Sequence, residues 1–316
     1  MNEVHILIIS NTIDFTTDYV CLELHRRNAN YLRINRDEFQ KYEVFFNVLH
    51  CSLTIRLGDE HYLLHPNTLK AVYYRAPIYL RDIYKPNLPV EEQLYRTQWT
   101  AFIRNLTVFD SALWVNNPDA TFRAENKILQ LIVAKNIGLP CPNTIVTNSN
   151  NVEIDEKKDY IVKSLDSAVL RLEDKEAFVY SNRVKGGEIK NSHLNLAPII
   201  LQDYISPKID IRVTVIGHTV YAVRILKEGK GVEGDWRTYK SDIDFIPFLL
   251  PDNVSGNCVS LVKALGLSFG GIDLIESDGN FFFIEVNPTG EWAWLVNAAN
   301  LKIFNGICDY LEGINV

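Results

Sequence analysis

Cysteine is scarce in this sequence and follows no motif. The 316 residues include five cysteines, which are widely spaced and form no Cys-x-x-Cys pair. That usage argues against a disulfide framework or a zinc site and is typical of a reducing compartment. No apolar run is long enough to span a membrane, and the chain enters a strand directly, without a basic region or a small-residue cleavage site. We therefore expect a cytoplasmic protein with no membrane partner.

Common catalytic and phosphate-binding motifs are also missing. The sequence has no Gly-x-x-x-x-Gly-Lys-Ser/Thr loop, no His-Glu-x-x-His and no Gly-x-Ser-x-Gly. Gly229 to Gly234 matches Gly-x-Gly-x-x-Gly, but the residues after it do not open a helix, so we interpret it as a flexible loop. His61 and His65 flank a strand-like segment and are not expected to share a metal ion. The net charge of −7 gives no general reason to bind nucleic acid, and we expect none.

The remaining composition is that of a globular protein large enough for two or three lobes, with 47% hydrophobic and 22% charged residues. The apolar run Val4 to Ile9 predicts a buried parallel strand, and Asp14 is a candidate cap for the helix that follows. Residues 44–64 alternate weakly, which indicates meandering strands, and a long helical pattern starts at Pro89. We expect an N-terminal α/β lobe over residues 1–118.

The rest of the chain predicts a second helical start and several antiparallel strands. A helix is expected from Thr121 to Gly138, and the polar stretch 164–195 is expected to be a mobile flap. Further elements follow the same periodicities: strands at 144–147, 160–163, 199–205, 210–216 and 220–226, and helices at 253–265 and 303–311.

The most informative segment is a predicted β-hairpin over residues 269–288. Glu285 and Asn287 are two residues apart on its second strand, so their side chains share a face. Asp273 on the first strand joins them only if the turn has the right length. A three-residue loop, Asp278 to Asn280, places Asp273 across from Glu285, whereas a two-residue loop places it on the other face.

We predict the three-residue loop, because it assembles two carboxylates and an amide. That ligand set can hold Mg²⁺ against nucleotide phosphates. The alternative is an edge hairpin with ordinary polar side chains.

Several other polar residues have both a functional and an ordinary interpretation. Lys163 ends a buried strand and Lys127 lies on the preceding helix; each could meet a phosphate or extend to solvent. The strand end from Gln202 to Ile205 could line an adenine pocket or simply finish a strand. Asp210 and Arg212 share a strand face and could pair, and Arg224 could join Arg212 at a polyphosphate or acyl phosphate.

Taken in order along the chain, these residues resemble the ATP-grasp ligases over nearly the full length. The most specific match is Gly271 to Leu274 followed by Ile284 to Pro288. The resemblance implies an α/β fold of three lobes, 1–118, 119–198 and 199–316, with ATP between the last two.

The resemblance also implies a role for each candidate residue. Lys127 and Lys163 would contact ATP phosphates, and Arg212 and Arg224 would stabilise the phosphates or an acyl phosphate. Asp210 would lie near the ribose. The adenine hinge would consist of Gln202, Asp203, Tyr204 and Ile205. The Mg²⁺ site would consist of Asp273, Glu285 and Asn287.

Six further stretches resemble one branch, the graspetide (microviridin-type) peptide ligases: 73–77, 114–118, 124–127, 138–140, 142–144 and 287–294. Those enzymes close ω-ester or ω-amide rings on a ribosomal precursor peptide, and homodimers are common among them. The resemblance assigns peptide recognition to Asp235, Trp236 and Arg237, which fit an Asp-x-Arg segment, and to Arg75. The family usually carries Gln where this chain has Glu291.

The sequence therefore predicts an ATP- and Mg²⁺-dependent ligase whose partner is a precursor peptide. Three alternatives remain: a ligase of the glutamate-adding type that acts on a protein C-terminus or a small amino acid, a nucleotide-binding module that makes no bond, and a peptide-binding accessory protein.

Overall fold

The computed structural model describes residues 1–75, 88–149, 151–166, 169–171, 176–178, 181–192, 194–239 and 242–314. The expected mobile flap at 164–195 falls partly outside these residues, as do Ala76 and Pro77 of the Tyr-Tyr-Arg-Ala-Pro stretch. Within the described residues, no helix is both long and apolar enough to cross a membrane.

The N-terminal part of the chain builds two sheets on a shared core. Strands β2, β3, β7 and β8 form a parallel sheet in the order β3-β2-β7-β8, and the predicted meander forms a second sheet in the order β1-β6-β5-β4. Asp14 caps α1, as predicted, by accepting from the backbone N–H of Thr17. The elements are β1 (Asn2–Glu3), β2 (Ile6–Ser10), α1 (Phe15–Arg26), β3 (Tyr31–Asn35), β4 (Tyr42–Asn47), β5 (Ser52–Leu57), β6 (Glu60–Leu64), β7 (Ala71–Tyr74), α2 (Val90–Asn105) and β8 (Leu113–Val115).

The middle of the chain starts with two short helices, so the single helix predicted from Thr121 is wrong. Asn117 caps the first and Asn126 caps the second, each by accepting a backbone N–H, and the second cap interrupts the helical path. An antiparallel sheet in the order β13-β10-β14-β9 follows. The elements are α3 (Pro118–Ala124), α4 (Lys127–Asn136), β9 (Thr144–Thr147), β10 (Asp159–Lys163), β11 (Val169–Arg171), β12 (Glu176–Phe178), β13 (Asn182–Lys185), α5 (Gly186–Lys190) and β14 (Ile199–Asp203).

The C-terminal part is an antiparallel sheet in the order β17-β16-β15-β18-β19, covered by helices. Helices α4 and α6 pack on one face through a core that includes Leu261, Ile272 and Phe283. Helices α7 and α8 contribute to a core shared with α1 and the parallel sheet. The elements are β15 (Ile209–Ile216), β16 (Thr219–Leu226), β17 (Asp244–Pro247), α6 (Asp252–Ala264), β18 (Phe269–Ser277), β19 (Asn280–Asn287), α7 (Trp294–Ala299) and α8 (Ile303–Leu311).

The division into lobes at 118 and 198 remains a proposal, but sheet membership refines it. Strand β14 pairs with β9 and β10, so it belongs with the central sheet although the proposed third lobe starts at Ile199. Helix α4 contacts β19, so it belongs with the C-terminal sheet.

Candidate functional site

The β18–β19 hairpin brings the predicted metal ligands together by a different route from the one predicted. Ser277 pairs with Asn280, so the turn is the two-residue Asp278-Gly279 turn, with both residues at positive φ, and the predicted three-residue loop is wrong. The register then shifts between Asp273 and Leu274, which leaves Ile284 as an extra residue. Because of this bulge, Asp273 lies directly across from Glu285, as the sequence predicted.

The hairpin forms one wall of a cavity of about 410 Å³ between the central and C-terminal sheets. The other walls come from β10, β13, β14, β15 and the segment after Gly234. Eleven of the predicted site residues line it: Lys163, Gln202, Asp203, Tyr204, Ile205, Asp210, Asp235, Trp236, Arg237, Asp273 and Glu285.

Cationic side chains surround the two carboxylates. Lys127 Nζ lies 2.8 Å from a carboxylate oxygen of Glu285, and Arg212 Nη1 lies 2.9 Å from one of Asp273. Arg237 reaches the other oxygen of Asp273 at 3.4 Å. The site thus alternates negative and positive groups, which suits a metal ion and a polyphosphate bound side by side.

The residues present fit a Mg²⁺ ion. Asp273 and Glu285 are cross-strand partners, and Asn287 lies two residues further on the same face, opposite Gly271. Within the described residues, no three His, Cys, Asp or Glu side chains are grouped so that they could hold a metal. The predicted set has two carboxylates, and its third member is the amide of Asn287, whose oxygen accepts from the Thr289 N–H. Nε of Arg212 is buried there without a hydrogen-bond partner, which leaves a donor for an anion.

Burial and neighbouring charges shift the pKa values of Glu285, Lys163 and Asp210. Burial would raise the pKa of Glu285, but the charges of Lys127 and Lys163 outweigh it and lower the pKa, so this carboxylate stays ionised. Burial lowers the pKa of Lys163. Burial raises the pKa of Asp210, although Lys208 Nζ donates to it at 2.6 Å.

The predicted adenine hinge lies at the end of β14. Gln202 is buried, and its side-chain amide donates to the hydroxyl of Thr144. The backbone N–H groups of Asp203 and Tyr204 donate to the carbonyls of Asn143 and Asp159, respectively. The Tyr204 hydroxyl donates to Glu233, and Arg183 stacks on the Tyr204 ring at 4.2 Å. Burial, followed by the contact with Glu233, raises the pKa of Tyr204 to about 12.

The Gly-rich stretch 229–234 lies at the rim of the cavity, where Glu233 contacts Tyr204 and Gly234 is one of the lining residues. Gly231 packs so closely on the Lys208 carbonyl that an added Cβ would lie 1.7 Å from the oxygen. The residues that follow form only a short 3₁₀ helix, Trp236–Thr238, whereas a Gly-x-Gly-x-x-Gly loop that binds a dinucleotide opens an α-helix.

The two arginines expected to converge do not do so. Arg212 pairs across the sheet with Val223 on one side and Asp273 on the other, whereas Arg224 pairs with Ile211 and therefore lies on the opposite face. There Arg224 makes a two-pronged ion pair with Glu276 and stacks on Phe248. The expectation that Arg224 joins Arg212 is wrong, and we assign Arg224 no part in the chemistry.

This difference predicts unequal effects of two matched substitutions. Arg212→Leu should lower nucleotide turnover by on the order of 10²-fold, because it removes a cation from the metal face of the sheet. Arg224→Leu should act mainly on stability, because its partners are Glu276 and Phe248. Rates of ADP release, measured beside thermal unfolding, separate the two effects; equal losses of turnover would contradict the assignment of faces.

The predicted peptide-binding residues occupy two different places. Asp235 accepts from the Arg237 backbone N–H, and the Trp236 ring contacts Phe245 and Trp294. Trp236 itself lines the cavity. Arg75 is not among the cavity-lining residues.

Arg75 instead connects the parallel sheet to the loop after the metal strand, which is β19 with the predicted ligands Glu285 and Asn287. Its side chain is only 4% exposed, and it donates to the Thr289 carbonyl and to Glu291, whose own side chain is 66% exposed. Thr289 in turn donates to the Asn287 side chain, so Arg75 supports the loop that holds this predicted ligand.

The sequence reasoning missed two buried polar residues beside the site. Lys208 donates to Asp210 and to the Gly234 carbonyl. It directly precedes β15 and lies two residues from Asp210, and this spacing is the available signal. Gln130 holds the backbone of β19; its spacing of three from Lys127 on α4 is the available signal.

The chain resembles known proteins in sequence and in fold. The RimK-like ATP-grasp domain family matches residues 124–309. The tetrahydromethanopterin:alpha-L-glutamate ligase of Methanocaldococcus jannaschii is 28% identical over an alignment of 205 residues, which covers 60% of this chain and 66%, just under two thirds, of that protein.

Several solved structures match this chain nearly end to end, among them two that have precursor or core peptides bound. The macrocyclase MdnC of Microcystis aeruginosa MRC, bound with precursor peptide MdnA, has a TM-score of 0.80 at 23% identity, covering 98% of this chain and 99% of that one. A RiPP-associated ATP-grasp ligase of Chryseobacterium gregarium, in complex with ADP and a leader and core peptide, has a TM-score of 0.78 at 25% identity, covering 99% and 97%. The ATP-grasp fold predicted from the sequence is confirmed, and the chain belongs to the RimK-like ATP-grasp family.

Proposed function

We propose that this protein is an ATP-dependent ligase that joins side-chain carboxylates of a ribosomal precursor peptide to hydroxyl or amine side chains of the same peptide. The observation that carries the proposal is the end-to-end match, including the N-terminal part, to a RiPP-associated ligase complexed with ADP and peptide. The paired carboxylates and surrounding cations of the cavity supply chemistry that suits it.

The chemistry starts from a carboxylate, which is a poor acyl donor. Its oxygen takes the γ-phosphoryl group of ATP, ADP leaves, and the product is an acyl phosphate with a good leaving group. A Ser or Thr hydroxyl, or a Lys amine, then attacks the carbonyl carbon and phosphate departs, so each ring costs the peptide one water.

The residues of the cavity have distinct tasks in this scheme. Lys127, Lys163 and Arg212 stabilise negative charge on the phosphates during transfer. Asp273, Glu285 and Asn287 hold Mg²⁺, which neutralises phosphate charge when bound. The strand end Gln202 to Ile205 receives adenine, and Asp210 lies near the ribose.

Peptide binding completes the scheme. Asp235, Trp236 and Arg237 contact the peptide beside the metal ligands, and Arg75 supports this side of the site. Because donor and acceptor belong to one bound peptide, their effective concentration is high. We further propose that the protein works in the cytoplasm, without nucleic acid or membrane, and that it forms a homodimer.

A second candidate is a ligase that adds glutamate to a protein or small molecule. It is favoured by the curated relatives, of which the M. jannaschii enzyme is named as an alpha-L-glutamate ligase. The similarity covers 60% of this chain for the M. jannaschii enzyme and 84% for a probable alpha-L-glutamate ligase of Marinobacter nauticus, and the structural match to the peptide-bound ligase covers 99%.

Mass spectrometry distinguishes these functions. The purified protein would be incubated with ATP, Mg²⁺ and an acidic peptide that carries Thr, Ser or Lys and is encoded beside its gene. We expect the peptide to lose one or more waters, because each ring closure expels one.

The matched control is Glu285→Gln, which should leave the peptide mass unchanged. A gain of glutamate residues, or ADP release that depends on added free amino acid, would favour the second candidate. An unchanged peptide and no ADP with any acceptor would contradict both and favour a binding module.

A further inference from the structure

Gln130 is a buried polar residue beside the β18–β19 hairpin, which carries the predicted metal ligands. The proposed chemistry gives Gln130 no role. It lies on α4, one turn after Lys127, and only 3% of its surface is exposed. Its side chain makes three hydrogen bonds, all to backbone groups. Nε2 donates to the carbonyls of Ala124 at 2.7 Å and Val286 at 2.8 Å, and Oε1 accepts from the Val286 N–H at 3.0 Å.

Val286, which makes two of these three hydrogen bonds, lies on the edge strand of the C-terminal sheet. Strand β19 is outermost in the sheet, so one side of its backbone has no neighbouring strand in the order β17-β16-β15-β18-β19. Gln130 supplies the donor and the acceptor that a further strand would have offered at that point. Val286 stands between the predicted metal ligands Glu285 and Asn287.

Alternate residues of a strand aim their backbone groups at opposite edges. Glu285 and Asn287 pair with Asp273 and Gly271 of β18, while Val286 bonds to Gln130 on the other side. The three consecutive residues are therefore held from both edges. The same helix also holds the Glu285 carboxylate, through the 2.8 Å contact from Lys127.

We infer that Gln130 is a positioning residue for the metal site: it fixes the backbone of β19 between Glu285 and Asn287 and so sets the separation of their oxygen ligands. Groups that orient metal ligands from outside typically affect metal affinity by about 10–100-fold. The inference rests on the proposed Mg²⁺-dependent chemistry, but it concerns the metal site and not the peptide.

The test replaces Gln130 by Leu and measures metal binding directly. Mn²⁺ would be titrated into the protein with ADP present, with free Mn²⁺ followed by electron paramagnetic resonance. We expect the dissociation constant to rise by about tenfold or more. Hydrogen exchange without metal or nucleotide should show faster exchange of the Val286 amide, with the amides of β15 little changed.

Leu32→Ala is the control for general loss of stability, because Leu32 is buried in the separate N-terminal core. If Leu32→Ala weakens Mn²⁺ binding as much as Gln130→Leu, or if the Gln130 variant binds like wild type, the inference is wrong. Gln130→Met, which keeps the side-chain length, replaces the Leu variant if that one does not fold. A wild-type protein that binds Mn²⁺ and ADP but closes no ring would contradict the proposed function and leave this inference standing.

Discussion

Glu285→Gln should lower ADP-forming turnover by on the order of 10²–10³-fold or more while leaving the fold intact. The substitution keeps the shape of the side chain and removes its charge. Since Lys127 and Lys163 lower the pKa of Glu285, the wild-type carboxylate is ionised at neutral pH and available to a divalent cation. ADP release and thermal unfolding, measured on the same preparation, check both halves of the expectation.

The same hairpin offers a matched control. Glu276 lies on β18 three residues from Asp273, but it pairs with Arg224 away from the cavity. Glu276→Gln should therefore weaken that ion pair and keep turnover near wild type. Retained turnover in Glu285→Gln, or an equal loss in both variants, would show that this carboxylate does not hold the metal.

The hairpin also shows how far the sequence could predict the site. Alternation along a strand was enough to place Glu285 and Asn287 on one face, and the pairing of Asp273 with Glu285 is confirmed. The predicted loop length is wrong. The two-residue Asp278-Gly279 turn alone would place Asp273 on the face opposite to Glu285, and the extra residue Ile284 in the bulge brings the two back to the same face. No local propensity signals that bulge, since Phe283, Ile284 and Glu285 read as an ordinary strand.

The separation of Arg224 from Arg212 follows from the turn between their two strands. A two-residue turn at Gly217-His218 places Ile216 opposite Thr219, and counting back from there places Arg212 opposite Val223. The length of this turn therefore places the two arginines on opposite faces of the sheet.

Contacts between distant segments could not be predicted in this way. Gln130 meets Val286, and Asn116 meets Phe269 and Pro288, across more than 150 residues of chain. Both bind backbone groups, which every residue carries, so no partner side chain in the sequence indicates them. Their roles follow only once the sheets are assembled.

Asn116 should be the most sensitive of these contacts, and Asn116→Asp should lower the free energy of unfolding by about 3–5 kcal/mol. The side chain is 3% exposed, and its amide nitrogen donates to the carbonyls of Phe269 and Pro288 at 2.9 and 2.7 Å. Its oxygen accepts from the N–H groups of Ser268 and Phe269. The carboxylate keeps the acceptor but turns a charged oxygen toward two carbonyls. Denaturant unfolding would measure the loss.

The loss should also depend on pH, with a sign that identifies its cause. Burial against two carbonyls raises the pKa of the new carboxyl in the folded protein above its unfolded value of about 3.9. The charge penalty is then complete above the folded pKa, shrinks as pH falls through it, and is gone below the unfolded value. Unfolding measured at several pH values should show the variant approaching wild type on acidification.

The neighbouring residue provides the control for this change of Asn to Asp. Asn117 caps α3 by accepting from the Asp119 N–H, a position where a carboxylate serves as well as an amide. Asn117→Asp should therefore be close to neutral. A large loss at both positions, or a loss at Asn116 that grows on acidification, would mean that the buried carbonyls of Phe269 and Pro288 are not what makes the charge costly. Asn116 joins the end of β8 to the start of β18 and to the residue after Asn287, so its loss should also loosen the metal strand.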